Sequence, residues 1–249
     1  METRPGNFLG LPERYSRYDR SRFVVLPIPY DSTASYLAGT REGPAAVLAA
    51  SHHLEWFDEE LERECYRGGV CTLEAVEPDV SGPEAMHEKL FRHARRVVRD
   101  GKFLIGLGGD HSISAALVRA AMTRHKRLSV LQIDAHADLR DTFQGSRYSH
   151  ACVMRRIAEL GARIVPVGIR AVDTDDHRFM KRQGIRPITA RECLMEEDWV
   201  DRVLEGLTDP VYVTIDIDGF DPAYAPGTGT PEPGGLDWYQ VTGLLRLVT

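Results

Sequence analysis

Six short apolar runs, each rich in β-branched residues and set apart from the next, constrain this chain more than any other feature. They are RFVVLPI (22–28), GVCTL (69–73), KFLIGL (102–107), LSVLQID (128–134), ARIVPVGI (162–169) and PVYVTIDI (210–217). Near-continuous apolar character of this kind marks strands buried on both faces. Between them, SGPEAMHEKLFRHARRVVRDG (81–101) places Met86, Leu90, Ala94, Val97 and Val98 on one stripe and ends at a glycine, and 112–125, 150–160 and 196–207 read as helices of the same sort. Strand–helix alternation implies βαβ units, hence an α/β protein with a mostly parallel sheet covered by helices. The 249 residues can bury a substantial core, and with no repeat, low-complexity tract or linker the expectation is a single domain over residues 1–249. The Pro- and Gly-rich stretch DPAYAPGTGTPEPGGL (221–236) reads as a long ordered loop, where such folds place function.

A formal net charge of −6 argues against a nucleic-acid binder, which carries a basic face. Cys65, Cys71, Cys152 and Cys193 are scattered without a CxxC pair, so neither a zinc ribbon nor a disulfide scaffold is indicated, and free thiols in a reducing compartment are expected. The start METRPGNFLGLPERYSRYDR has no apolar segment of signal-peptide type, and no stretch reaches the ~18 apolar residues a membrane span requires. The expectation is a soluble, cytoplasmic protein.

Three of the predicted strands end in groups that resist burial. LQIDAHAD delivers Asp134, His136 and Asp138 at alternate positions, which in an extended backbone point one way. VTIDID does the same with Asp216 and Asp218, and KFLIGL runs into Gly108, Gly109, Asp110 and His111. Carboxyl ends of parallel strands are where ligand crevices form in open α/β sheets. A single Asp there is ordinarily a turn residue or helix cap, and a lone His a structural one; three such clusters together are not explained that way. Bringing these carboxylates together without a cation would raise their pKa values and add a desolvation cost. A divalent metal removes both problems. Carboxylates with imidazoles suit Mn²⁺, with Zn²⁺ or Fe²⁺ as alternatives, and the lack of thiolates argues against a soft site. The ligands outnumber what one tetrahedral ion needs, and two ions about 3.5–4 Å apart would use them. GLGGDH is neither a P-loop nor a proper GxGxxG, and no GxSxG elbow occurs.

GGDHS (108–112), DAHADLRD (134–141), SHACVMRR (149–156) and DIDGFDPAYAPGTGTPEPGGL (216–236), with LPIPYDSTASYLAGTREGPAAVLAAS (26–51) upstream, resemble the ureohydrolase family of arginases and agmatinases. The resemblance implies a three-layer α/β/α fold, two Mn²⁺ ions and hydrolysis of a guanidinium group to urea and an amine. By motif, one ion would be held by His111, Asp134, Asp138 and Asp216, the other by Asp134, His136, Asp216 and Asp218. Asp138 would also stabilise the tetrahedral intermediate, and His150 would transfer a proton or position substrate. The SGN-type motif by which arginases read an α-carboxylate is absent from LRDTFQGSRYSH (139–150), so the stretch looks like prokaryotic agmatinases, whose substrate agmatine ends in a bare ammonium. Asp173 would lie near that amino end and Thr230 would line the site; Arg140 and Arg147 read as anchors of the loop or of a subunit contact. Family members continue past GGL through a helix, another strand and a glutamate that binds the guanidinium. Here the chain stops at Thr249 in what reads as the helix, so a truncated chain lacking the C-terminal strand is expected. The resemblance also implies a homo-oligomer, a trimer or hexamer.

The competing readings are arginase or guanidinobutyrase, a single-zinc deacylase of related fold, and an inactive metal-binding homologue or fragment. His111 and the Asp216/Asp218 pair favour two ions over one.

Overall fold

The computed structural model describes residues 6–248, which divide into two compact units. One comprises the described residues up to Ser32 together with Gly39–Ala120; the other comprises Thr33–Ala38 and the chain from Ala121 onward.

In the first unit a short helix α1 (Glu13–Ser16) precedes β1 (Phe23–Ile28), α2 (Gly43–Ser51), β2 (Val70–Thr72), α3 (Pro83–Arg99), β3 (Phe103–Gly108) and α4 (Ile113–Met122), whose last two residues count with the second unit. The sheet order is β2-β1-β3 and both pairings are parallel, with Phe23 opposite Val70 on one side and Phe103 on the other. β1 is buried along almost its whole length because it is the central strand. Helix α3 turns Met86, Leu90, Ala94, Val97 and Val98 inward, the stripe its spacing predicts. Val97 packs with Val24 and Cys71 in one apolar cluster, and Leu11, Val25, Tyr66 and Val70 form another.

The second unit runs β4 (Ser129–Ile133), α5 (Val153–Glu159), β5 (Arg163–Ile169), α6 (Thr174–Gln183), β6 (Ile188–Thr189), α7 (Ala190–Met195), α8 (Trp199–Gly206), β7 (Val211–Ile215) and α9 (Trp238–Val248). Its sheet order is β6-β5-β4-β7, again all parallel. Leu131, Ile133, Val165 and Val167 from the sheet pack with Trp199, Val203, Val241 and Leu244 from the helices in the core of this unit. The α/β class with parallel strands and flanking helices is as expected. All six predicted strands form within one residue of their expected bounds, except that β7 closes two residues early. Burial on both faces does not extend to β3 and β7: each is an edge strand of its sheet and only partly covered, with Phe103 58% and Ile215 44% exposed. The expected helix at 150–160 divides into a 3₁₀ turn, His150–Cys152, followed by α5.

One buried group in the first unit gives a pH dependence. His87 on α3 is 8% exposed, and burial, with the Arg119 guanidinium nearby, pulls its imidazole down to about 4. Because the folded value lies below the unfolded one, its contribution is complete above about pH 6.5 and is lost as pH falls toward 4. Unfolding free energy should therefore drop on the order of 2–3 kcal/mol across that window. Denaturant titrations at both ends should show His87→Gln with a flatter slope; an unchanged slope would remove His87 as the cause.

Candidate metal centre

Strand β4 ends at Ile133, but its extended course continues. Asp134 N–H donates to Val167 O at 3.1 Å, the Arg170 and Ala171 N–H groups both donate to Ala135 O at 2.9 Å, and His136 bridges to Ala171 in parallel. On the other side Asp216 N–H donates to Ile133 O at 2.8 Å. The DAHAD stretch is thus pinned between the ends of β5 and β7, which fixes the direction of each side chain.

Asp134 is fully buried. One of its carboxylate oxygens accepts from His136 N–H at 2.7 Å and the other from the Gln132 side-chain amide at 2.9 Å. Gln132, itself buried, also donates to His136 O at 3.0 Å, so one amide sets the angle between two candidate ligands. Asp218, 2% exposed, accepts from Ala135 N–H and from the Thr230 hydroxyl, each at 3.1 Å. His136 Nδ1 lies 3.1 Å from Asp218 Oδ2 and 3.8 Å from Asp134 Oδ1. Gly219 lets the DID turn come this close: a Cβ there would stand 2.9 Å from Asp134 N. Asp134, His136 and Asp218 present ligand atoms within 4.8 Å of one another and could hold a metal ion.

The donor set fits a divalent cation. Two buried carboxylates and an imidazole are hard and borderline ligands, and their electrostatics call for positive charge. Burial pulls the His136 imidazole down, but the Asp218 carboxylate against it, with Asp138 and Asp134 around, overrides this and raises it to about 9. Burial pushes Asp218 up; the His136 ring, Ala135 N–H and Thr230 hydroxyl together hold it below the usual carboxylate range.

The other predicted residues fall around this trio. Asp216 accepts from Asp218 N–H at 3.2 Å and opens the turn that carries Asp218. Asp138 leaves the extended line: its φ is 51°, a left-handed conformation that Asp tolerates better than most residues. Its carbonyl accepts from Met154 and Arg155 N–H at 3.0 and 3.3 Å, so the chain turns here to meet the start of α5, and Asp138 stands outside the trio. His150 opens the 3₁₀ turn; its N–H donates to Thr33 Oγ1 at 3.0 Å, its Nε2 is 3.3 Å from Ser35 Oγ, and Phe143 packs edge-on against the ring. Asp173 caps α6 by accepting from Asp175 N–H at 2.7 Å and pairs with Arg140 at 3.4 Å. Thr230 contacts the ligand Asp218. Arg140 also lies over the Phe143 ring, and Arg147 pairs with Asp141 and Glu159, so both arginines anchor the 139–150 loop within this unit. His111 belongs to the first unit, buried just ahead of α4.

Four contributors escaped the sequence reading: Gln132, Ser35, Arg170 and Glu232. Gln132 was legible in principle, as a polar residue inside an apolar strand.

The sequence profile of the Arginase family matches residues 21–249. The chain belongs to the arginase family. Membership makes it a hydrolase acting on the C–N bonds of amidine groups. A relative in Synechocystis, an N(1)-aminopropylagmatine ureohydrolase, is 39% identical over 97% of this chain and 83% of its own. The enzyme of that name from Thermus thermophilus is 42% identical over 95% of this chain and 80% of its own. Among solved structures, the agmatine ureohydrolase of Thermoplasma volcanium superposes with a TM-score of 0.86 at 32% identity, covering 94% of this chain and 80% of that one. Among the described residues no helix is long and apolar enough to cross a membrane.

Proposed function

We propose that this chain hydrolyses the guanidino group of agmatine or of its N(1)-aminopropyl derivative, releasing urea and the corresponding amine. The observation that carries the reading is the trio of Asp134, His136 and Asp218, fixed at the ends of parallel strands, in a chain of the arginase family. The names of its relatives favour a decarboxylated substrate, as does the absence of an SGN motif from 139–150. The aminopropyl reading rests on the Synechocystis and Thermus relatives.

In this reading the cofactor is a pair of Mn²⁺ ions. His111, Asp134, Asp138 and Asp216 would hold one, and Asp134, His136, Asp216 and Asp218 the other. When bound, such ions supply Lewis acidity and a water nucleophile ionised near neutral pH. The residues do the rest. The four Asp carboxylates would balance the four positive charges of the two ions. Asp138 would stabilise the tetrahedral intermediate, as the family resemblance implies. His150, braced by Phe143 and Ser35, gives the departing amine its proton. Asp173 would face the ammonium end of substrate by exchanging Arg140 for it, and Thr230 acts through Asp218. A homo-oligomer, trimer or hexamer, follows from the family resemblance. The four free thiols support a reducing, cytoplasmic location.

The test is urea release by Mn²⁺-loaded protein from agmatine, N(1)-aminopropylagmatine, arginine and 4-guanidinobutyrate side by side. One of the first two should exceed arginine by at least about a hundredfold in kcat/KM, the size expected when a buried charge is matched or left unpaired. Preference for arginine, or one tightly held Zn²⁺ with deacylase activity, would overturn the reading.

A further inference from the structure

The ring of His136 has two edges, and only one is spoken for. Nδ1 faces Asp218 and Asp134. Nε2, on the opposite side, faces Glu232 Oε1 at 3.8 Å. Glu232 is not in the metal motifs; it lies in the loop between the DID turn and α9. Several side chains hold that loop: Asp221 accepts from Gly234 and Gly235 N–H at 2.8 and 3.1 Å, Thr230 donates to Asp218, and Arg170 spans the widest set of carbonyls. Arg170, directly after β5, donates through Nη2 to Asp218 O at 2.7 Å and Glu232 O at 2.6 Å, and through Nε to Pro233 O at 3.1 Å. Its Nη1 reaches Gly168 O and Gly219 O at 3.2 and 3.3 Å. A single guanidinium therefore ties the backbone that carries Asp218 to the backbone that carries Glu232. Burial pulls this guanidinium below its ordinary value, while Asp218, Glu232 and Asp221 hold it charged. Arg suits the task because its donors are fixed in one plane and can serve several carbonyls at once.

We propose that Glu232 is a positioning residue: with a cation on Nδ1, its carboxylate accepts the Nε2–H of His136, fixing the ring's tautomer and angle, and Arg170 holds it there. This rests on the reading of Asp134, His136 and Asp218 as a metal site. A ligating imidazole almost always donates its second N–H, and a carboxylate partner raises its basicity; loss of that partner typically costs 10–100-fold in metal affinity. Glu232 is partly exposed, so its replacement should leave the fold intact.

Equilibrium dialysis of the purified, chelator-stripped protein against Mn²⁺ tests this without turnover. Glu232→Ala should weaken binding at the tighter affected site about tenfold or more. Glu232→Gln, which keeps an acceptor and loses the charge, should fall between it and wild type, and all three should melt alike without metal. Wild-type affinity in Glu232→Ala would overturn the proposal. So would unchanged affinity with a fall in urea-forming kcat/KM, since Glu232 would then be a substrate contact. A wild-type protein that binds no Mn²⁺ would instead overturn the metal reading itself and take this proposal with it.

Discussion

Asp134→Asn is expected to lower Mn²⁺ affinity by at least about a hundredfold and to reduce occupancy at both ion positions together. The magnitude exceeds the 10–100-fold typical of an outer partner because Asp134 would be a direct and bridging ligand. The structure adds a second cost. Both Asp134 oxygens accept hydrogen bonds, one from His136 N–H and one from Gln132. An asparagine has one acceptor oxygen and an NH₂ group, so one buried donor would face another donor, at about 1–3 kcal/mol. The metal-free variant should therefore also melt below the wild type. His150→Asn makes the comparison informative. His150 sits outside the trio, and its replacement should leave metal content nearly intact while lowering turnover by roughly 10²–10⁴-fold, the range for a proton-transfer group. Metal analysis after dialysis checks both. Equal metal loss in the two variants would contradict the division of roles, and full occupancy in Asp134→Asn would contradict the bridge.

The parts of this site that could be read from the sequence are those written by local periodicity. Asp134 and His136 follow an apolar strand at a spacing of two, and Asp218 follows another; the strand geometry does the rest. Alternation overreached at Asp138, where the chain turns into the left-handed region to meet α5. The strands themselves were legible because β-branched apolar runs admit few alternatives. Helix α2 was not, because GPAAVLAAS has no polar face to set against an apolar one, and α6 was missed because TDDHRFMKRQ (174–183) offers only Phe179 and Met180 as inward apolar anchors. Strand β6 is two residues long and carries no pattern at all. Arg170 and Glu232 were hidden for a different reason. Arg170 bonds to carbonyl oxygens, which every residue has, so no partner side chain marks its role. Glu232 meets His136 across 96 positions of sequence, a pairing only the fold makes.

Gly109→Ala is expected to destabilise the first unit by about 3 kcal/mol or more, while Gly108→Ala should cost only about 1 kcal/mol. The two glycines are neighbours at the end of β3 and look equivalent in the sequence. Their surroundings are not. A Cβ on Gly109 would stand 1.8 Å from Tyr30 O and 2.6 Å from the carbonyl carbon behind it. Those are backbone atoms of the segment leaving β1, and they are held in place: Gly109 N–H donates to Ile28 O at 3.2 Å and Asp110 N–H to Tyr30 O at 2.7 Å. Relief requires separating the two segments and breaking that pairing. A Cβ on Gly108 meets Ile113 Cδ1 at 2.5 Å, the far end of a side chain that can change rotamer. The consequence reaches the site residues, since Gly109 is followed at once by Asp110 and His111, and Asp110 steers the entry to α4 by accepting from Ser112 N–H at 3.0 Å. Chemical denaturation of the two variants beside wild type measures the difference. Equal losses would mean that the Tyr30 segment yields as readily as an isoleucine side chain, and that the close approach of β1 and β3 at this point is not what requires glycine.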